Sequence, residues 1–229
     1  MAPAVTVLQL DTDFPRVPGD VGSAETYIDA VEVLRIPRAT VAHVVSGAPQ
    51  EIDIAPFAAA LHAASGEVIV TSCGFLSYWQ AHLAALADRP VIASSLVALD
   101  RIARTHTPDE VMIVTFDAGS LGAPHLGRHG AFAPSIVGLH PDMHLRQVIG
   151  QNLPHLDQDH AAREMRALIA GHIRPAHRCV LLECTNLPPY KPAIRDVTPV
   201  PVIDILTEIE AVRPGTVRPA FLRPEAVQP

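Results

Sequence analysis

The sequence predicts an α/β protein of two pseudo-symmetric lobes, each with a four-stranded parallel sheet flanked by helices. Three observations carry this. Short runs rich in Val and Ile recur along the chain, helical periodicity fills several gaps between them, and the chain repeats itself at one fixed offset. The apolar runs cover residues 5–10, 41–45, 68–71, 91–93, 111–115, 135–139, 179–183 and 201–205. Each has strand length and is nearly continuous rather than alternating, the pattern of strands covered on both faces. Residues 54–64, 77–87, 96–105 and 160–172 carry apolar side chains at helical spacing.

The repeat divides the eight runs into two sets of four. Val70-Thr71-Ser72-Cys73-Gly74-Phe75-Leu76 pairs with Leu181-Leu182-Glu183-Cys184-Thr185-Asn186-Leu187, and Pro90-Val91-Ile92 pairs with Pro201-Val202-Ile203, both at an offset of 111. Two anchors in one register indicate a duplication, with the two lobes facing each other.

Composition removes several classes of function. The chain has 229 residues, a net charge of −7 and a single lysine, Lys191, so electrostatic affinity for nucleic acid is not expected. No stretch of about eighteen apolar residues occurs, and Met1-Ala2-Pro3-Ala4-Val5 lacks a basic region, so neither a membrane span nor a signal peptide is expected. Three cysteines, Cys73, Cys179 and Cys184, are too few for a disulfide framework and point to free thiols in a reducing, cytoplasmic setting. The 22 prolines are scattered at element ends and form no linker.

Cys73 and Cys184 fall at the carboxyl ends of strands, where parallel sheets bind ligands. A helix starting just after each would lower the thiol pKa toward neutrality. Two thiols reaching one cleft from opposite sides suit inversion at a carbon next to a carboxylate or amide: one thiolate removes the α-proton and the other thiol delivers one to the far face. Such a mechanism needs no cofactor, neither pyridoxal phosphate nor metal. Cys179 has Val68 at the matching point of the first half and reads as strand packing.

The paired units Thr71-Ser72-Cys73-Gly74 and Glu183-Cys184-Thr185-Asn186-Leu187-Pro188 resemble the aspartate/glutamate/hydantoin racemase superfamily, over nearly the whole chain. The resemblance implies two flavodoxin-like lobes with one catalytic cysteine each, Cys73 and Cys184, and a chain that returns to complete the first lobe. Lobe one then spans 1–97 plus 205–229, and lobe two 98–204. It also implies that Asp11 and Thr12 orient the first thiol, that Thr115, Asp117 and Ser120 offer hydrogen bonds to substrate, and that Thr185 binds its carboxylate. Glutamate racemases carry asparagine and threonine after the first cysteine and histidine after the second cysteine's threonine. This chain has Gly74, Phe75 and Asn186 there, which argues against ordinary glutamate racemisation and for a less polar substituent beside Phe75.

The loop 13–22 follows the first strand and could cover the cleft, with Arg16 as its only cation able to grip a carboxylate bidentately. Its glycines do not make a phosphate loop. The pairs His125/His129 and His140/His144 lack the spacing partners of a zinc site, and no serine nucleophile elbow occurs. The expectation is a racemase or epimerase acting on a small amino acid, related acid or hydantoin, possible as a homodimer. The alternatives are a maleate-isomerase-like or arylmalonate-decarboxylase-like reaction, or a non-catalytic small-acid binding protein.

Overall fold

A computed structural model describes residues 2–222. Eight strands form two sheets, all parallel: β1 (Val5–Gln9), β2 (Val31–Arg35), β3 (Val68–Thr71) and β4 (Val91–Ile92) in the order β2-β1-β3-β4, and β5 (Val111–Thr115), β6 (Ile136–Gly138), β7 (Cys179–Leu182) and β8 (Val202–Ile203) in the order β6-β5-β7-β8. The inner strands β1, β3, β5 and β7 are buried almost throughout, as their unbroken apolar sequences require.

The duplication is visible in the pairing itself. Ile69 lies opposite Val91 and Val70 opposite Ile92 in the first sheet; Val180 lies opposite Val202 and Leu181 opposite Ile203 in the second. The first partners of the central pairs are Val5 with Val68 and Val111 with Cys179. The offset of 111 therefore holds on β3/β7 and β4/β8, and shortens to 106 on β1/β5.

One expected strand is wrong. Residues 41–45 form a short helix, α1 (Val41–Val44), and the second strand is β2, Val-Glu-Val-Leu-Arg. β2 is an edge strand with no fully buried residue, so it carries the charges of Glu32 and Arg35 instead of reading as an apolar run. The chain turns at Arg38, in the left-handed region, and Thr40 takes the N-cap position of α1. Helices α2 (Ala55–Ala63), α3 (Gln80–Leu86), α4 (Leu99–Ile102), α5 (Ala123–Leu126), α6 (His144–Gly150), α7 (Gln158–His172), α8 (Lys191–Arg195) and α9 (Ile205–Val212) complete the layers. The periodic segment 160–172 lies within α7, where Asp157 caps the first turn and Ala161, Met165 and Ile169 face the core.

Ile205, Leu206 and Ile209 of α9 pack with Val5, Val7, Val68 and Val70, so the end of the chain covers one face of the first sheet. Met1 and residues 223–229 of the expected lobe-one segment lie outside the described residues. Among the described residues, no helix is long and apolar enough to cross a membrane.

Candidate active site

The two sheets meet through the turns that follow β3 and β7. In each lobe the cysteine stands two residues past the strand, and its carbonyl accepts from the leucine three residues on, Leu76 or Leu187. The residue after each cysteine packs on the residue before the other. Thr185 Oγ1 donates to the Ser72 carbonyl at 2.6 Å, and Gly74 lies so close to Glu183 that an added Cβ would stand 2.5 Å from its carbonyl oxygen. This reciprocal contact, Gly74 on Glu183 and Thr185 on Ser72, brings Cys73 and Cys184 to the wall of one cleft.

The thiols differ from expectation in their electrostatics. A 3-10 turn (Gly74–Trp79) starts directly after Cys73, but Cys184 is followed by an irregular turn before the 3-10 segment Pro188–Tyr190. The backbone N–H of Phe75 lowers the Cys73 pKa and that of Asn186 lowers the Cys184 pKa, as strand-end geometry predicts. Burial outweighs both. It pushes Cys73 up to about 12 and Cys184 well above its ordinary value, and the nearby Glu183 charge adds to each. The expected lowering toward neutrality is thus corrected: both thiols rest as neutral S–H groups. Cys179, inside β7, is pushed up to about 11 by burial, as expected of strand packing.

A polar chain leads from Cys184 into the loop after β1. Cys184 Sγ donates to Asn186 Oδ1 at 3.7 Å, and Asn186 Nδ2 donates to Asp20 Oδ2 at 2.6 Å. Asp20 Oδ1 accepts from Arg16 Nη1 at 3.2 Å, and Arg16 Nη2 donates to Thr12 Oγ1 at 3.0 Å. Arg16 lines the cleft over the Phe14 ring, with its Nε buried and without a hydrogen-bond partner among the described residues. A half-buried guanidinium in a cleft wall, with one N–H unengaged, is suited to a carboxylate. The loop is fastened across the lobes, since Asn152 Oδ1 accepts from the Asp13 and Phe14 N–H groups at 2.7 and 3.1 Å.

Several expected positions are occupied differently. Asp11 accepts from Arg35 Nε and from the Arg38 N–H, which hold its carboxyl below the usual range, and it is absent from the cleft wall. Its counterpart Asp117 binds Ser120 Oγ and pairs with Arg146, so Asp117 and Ser120 satisfy each other on the outside. The preceding residues, Leu10 and Phe116, face the cleft instead, because successive side chains of an extended chain point to opposite sides. Thr12 supports Arg16, and Thr115 donates to Glu183 Oε2 at 2.6 Å; neither lines the cleft. Phe75 is buried edge-on against His125 and lines the cleft, as do Gly74, Thr185 and Asn186.

Glu183 and Asp20 went unassigned from sequence. Glu183 sits in the quoted strand-cysteine unit, where a carboxylate at the end of an otherwise apolar buried strand was the available signal. The histidine pairs separate: His125 packs on Phe75, His129 binds Asp100, His140 contacts Asp142, and His144 stacks on His160.

The two-lobed architecture matches known structures. Allantoin racemase from Pseudomonas fluorescens superposes with a TM-score of 0.54 at 14% identity, covering 98% of both chains. Glutamate racemase from Bacillus anthracis gives 0.50 at 12% identity, covering 87% of this chain and 76% of that one. The chain thus shares the fold of these two racemases. By sequence, the chain is similar to dimethylsulfoniopropionate lyase 5 of Emiliania huxleyi, 28% identical over 96% of this chain and 47% of that enzyme. The dimethylsulfoniopropionate lyase of Durusdinium sp. clade D is 27% identical over 89% of this chain and 72% of its own length. The chain thus spans about half the length of the Emiliania huxleyi enzyme. No protein-family model matches. Both the structural neighbours and the sequence relatives are enzymes.

Proposed function

We propose that this protein is a cofactor-independent enzyme that removes the proton from a carbon α to a carboxylate or amide, with Cys73 and Cys184 as the base and acid. The observation that carries the reading is the meeting of two equivalent strand-end thiols at one cleft whose wall includes the half-buried Arg16. Arg16 binds the carboxylate and stabilises the negative charge that develops as the α-proton leaves. The reaction favoured by two opposed thiols is inversion: one sulfur takes the proton from one face, and the other returns one to the opposite face. The substrate is a small amino acid, related acid or hydantoin.

A second reading has its own support, the similarity to dimethylsulfoniopropionate lyases. Elimination from a β-sulfonio carboxylate also begins with loss of the α-proton, after which the C–S bond breaks and a neutral sulfide leaves. Phe14, Phe75 and Phe116 in the cleft wall offer apolar surface to the methyl groups of a sulfonium. Proton NMR in D2O with a panel of D- and L-amino acids, hydantoins and dimethylsulfoniopropionate separates the two. Loss of an α-proton signal with inversion supports racemisation or epimerisation; appearance of vinyl signals and dimethyl sulfide supports the lyase. Exchange that survives in both Cys73→Ser and Cys184→Ser at the wild-type rate would contradict the thiol chemistry common to both.

A further inference from the structure

Glu183 stands at the end of β7, fully buried, one residue before Cys184. Its Oε2 accepts from Thr115 Oγ1 at 2.6 Å, while Oε1 is buried without a hydrogen-bond partner among the described residues. Oε1 points across the lobe boundary at the turn after Cys73: a Cβ on Gly74 would stand 2.1 Å from it. The missing side chain at Gly74 is therefore the space that the carboxyl fills. A buried, unpaired oxygen carries an uncompensated desolvation cost, which a purely structural residue would avoid. The equivalent residue of the other lobe, Ser72, has its Oγ engaged by the Leu10 N–H, so only one lobe supplies a titratable group here.

We propose that Glu183 shares one proton with the two thiols and is the group whose carboxylate accepts the thiol proton to form the attacking thiolate, a role resting on the thiol chemistry proposed above. The cycle closes with every proton accounted for. Glu183 takes the proton of Cys73, breaking S–H and forming O–H. The Cys73 thiolate removes the substrate α-proton and becomes S–H again. Cys184 gives its proton to the opposite face of the carbanion and is left as the thiolate. It then takes the proton from Glu183, which returns to the carboxylate, and the reverse sequence serves the other enantiomer. Burial pushes the Glu183 carboxyl up to about 7, partly offset by the Thr115 hydrogen bond, so both of its forms are populated near neutrality. The charged and titratable groups that act on the set are Arg16 on Cys73 and Asp20 on Cys184, besides the thiols themselves.

The test is the pH profile of iodoacetamide alkylation at Cys73 and Cys184 in the full chain, read peptide by peptide by mass spectrometry. In the wild type the rate should rise about tenfold per pH unit and level off above about pH 7, where Glu183 in place of a thiol gives up the proton. Glu183→Gln should keep rising through that range. Thr115→Val removes a bond that favours the carboxylate and should move the levelling to higher pH, which keeps the test open if Glu183→Gln does not fold. Profiles of one shape in wild type and variants would overturn the proposal. Because no substrate is present, this result is independent of the D2O experiment: α-proton exchange lost in the cysteine variants, together with unchanged alkylation profiles, would remove Glu183 and leave the thiol reading standing.

Discussion

The two lobes place the same backbone in the same register and then dress it differently. At the offset of 111, Ser72 matches Glu183, Gly74 matches Thr185, and Phe75 matches Asn186. The first lobe thus surrounds its sulfur with small and apolar groups, and the second with a carboxyl, a hydroxyl and an amide. The contrast continues behind the sheets. Gln80 clamps the end of β4, donating to the Val91 carbonyl and accepting from the Ala93 N–H at 2.7 Å each. Its counterpart Lys191 forms a fully buried ion pair with Asp204, the counterpart of Ala93, at 2.5 Å. Asp204 also caps α9 through the Leu206 and Thr207 N–H groups, tying the second sheet to the helix that covers the first. Duplication supplied the positions of the sulfurs, and the divergence of their neighbours made the halves unequal in charge and polarity.

This comparison can be broken at several points. The largest effect is expected at the sulfurs, which the two halves share: Cys73→Ser and Cys184→Ser should each lower the rate of inversion by roughly 10²–10⁴-fold, the range for loss of a general acid or base. Steady-state rates from each enantiomer check it. Next comes the clamp that differs between halves. Lys191→Ala leaves Asp204 buried and unpaired and should cost about 3–5 kcal/mol, whereas Gln80→Ala, which removes neutral hydrogen bonds, should cost about 1–3 kcal/mol. Urea denaturation of the two variants measures the difference, and equal losses would show that the ion pair is no stronger a tie than the amide.

A pH effect follows from Glu183, which has no titratable counterpart in lobe one. Its carboxyl keeps its proton in the folded chain up to about 7 but loses it near 4.5 when unfolded. Between those values the folded state binds more protons, so stability contributed by this group is present below about 4.5 and is lost as pH rises to about 7. The size is on the order of 3 kcal/mol, and Glu183→Gln should flatten that part of the stability curve. The smallest effect is expected at Asp11 and Asp117, which occupy matching places and both face outward. Asp11→Asn and Asp117→Asn should change turnover less than about twofold and stability by about 1 kcal/mol or less.

The legibility of the molecule in its sequence follows burial. Strands buried on both faces, such as Val68–Thr71 and Val111–Thr115, show as apolar runs, and the repeat located Cys73 and Cys184 at equivalent ends. The edge strand Val31–Arg35 does not, because its open side allows Glu32 and Arg35, and Val41 and Val44 imitate a strand while sitting on one turn of helix. Within the site, residue type was readable but direction was not. Asp11 and Asp117 fall one position past the cleft-facing Leu10 and Phe116, and a one-residue step reverses the side chain. Arg16 reached the cleft because its loop is pinned to Asn152, a contact 138 residues away that no local pattern announces. The direction of the thiol pKa shifts was missed for a similar reason: a favourable backbone N–H is a local feature, while the desolvation that overrides it comes from the closing of two lobes.

The central claim is that two thiols address opposite faces of one carbon. The most direct test follows the first compound of the panel that inverts, from a single enantiomer in D2O, to low conversion. The account predicts deuterium in the newly formed enantiomer while the remaining substrate keeps its α-proton, because the sulfur that delivers is not the one that removed. Deuterium appearing equally in both enantiomers from the start would mean that a single base serves both faces, and would contradict it.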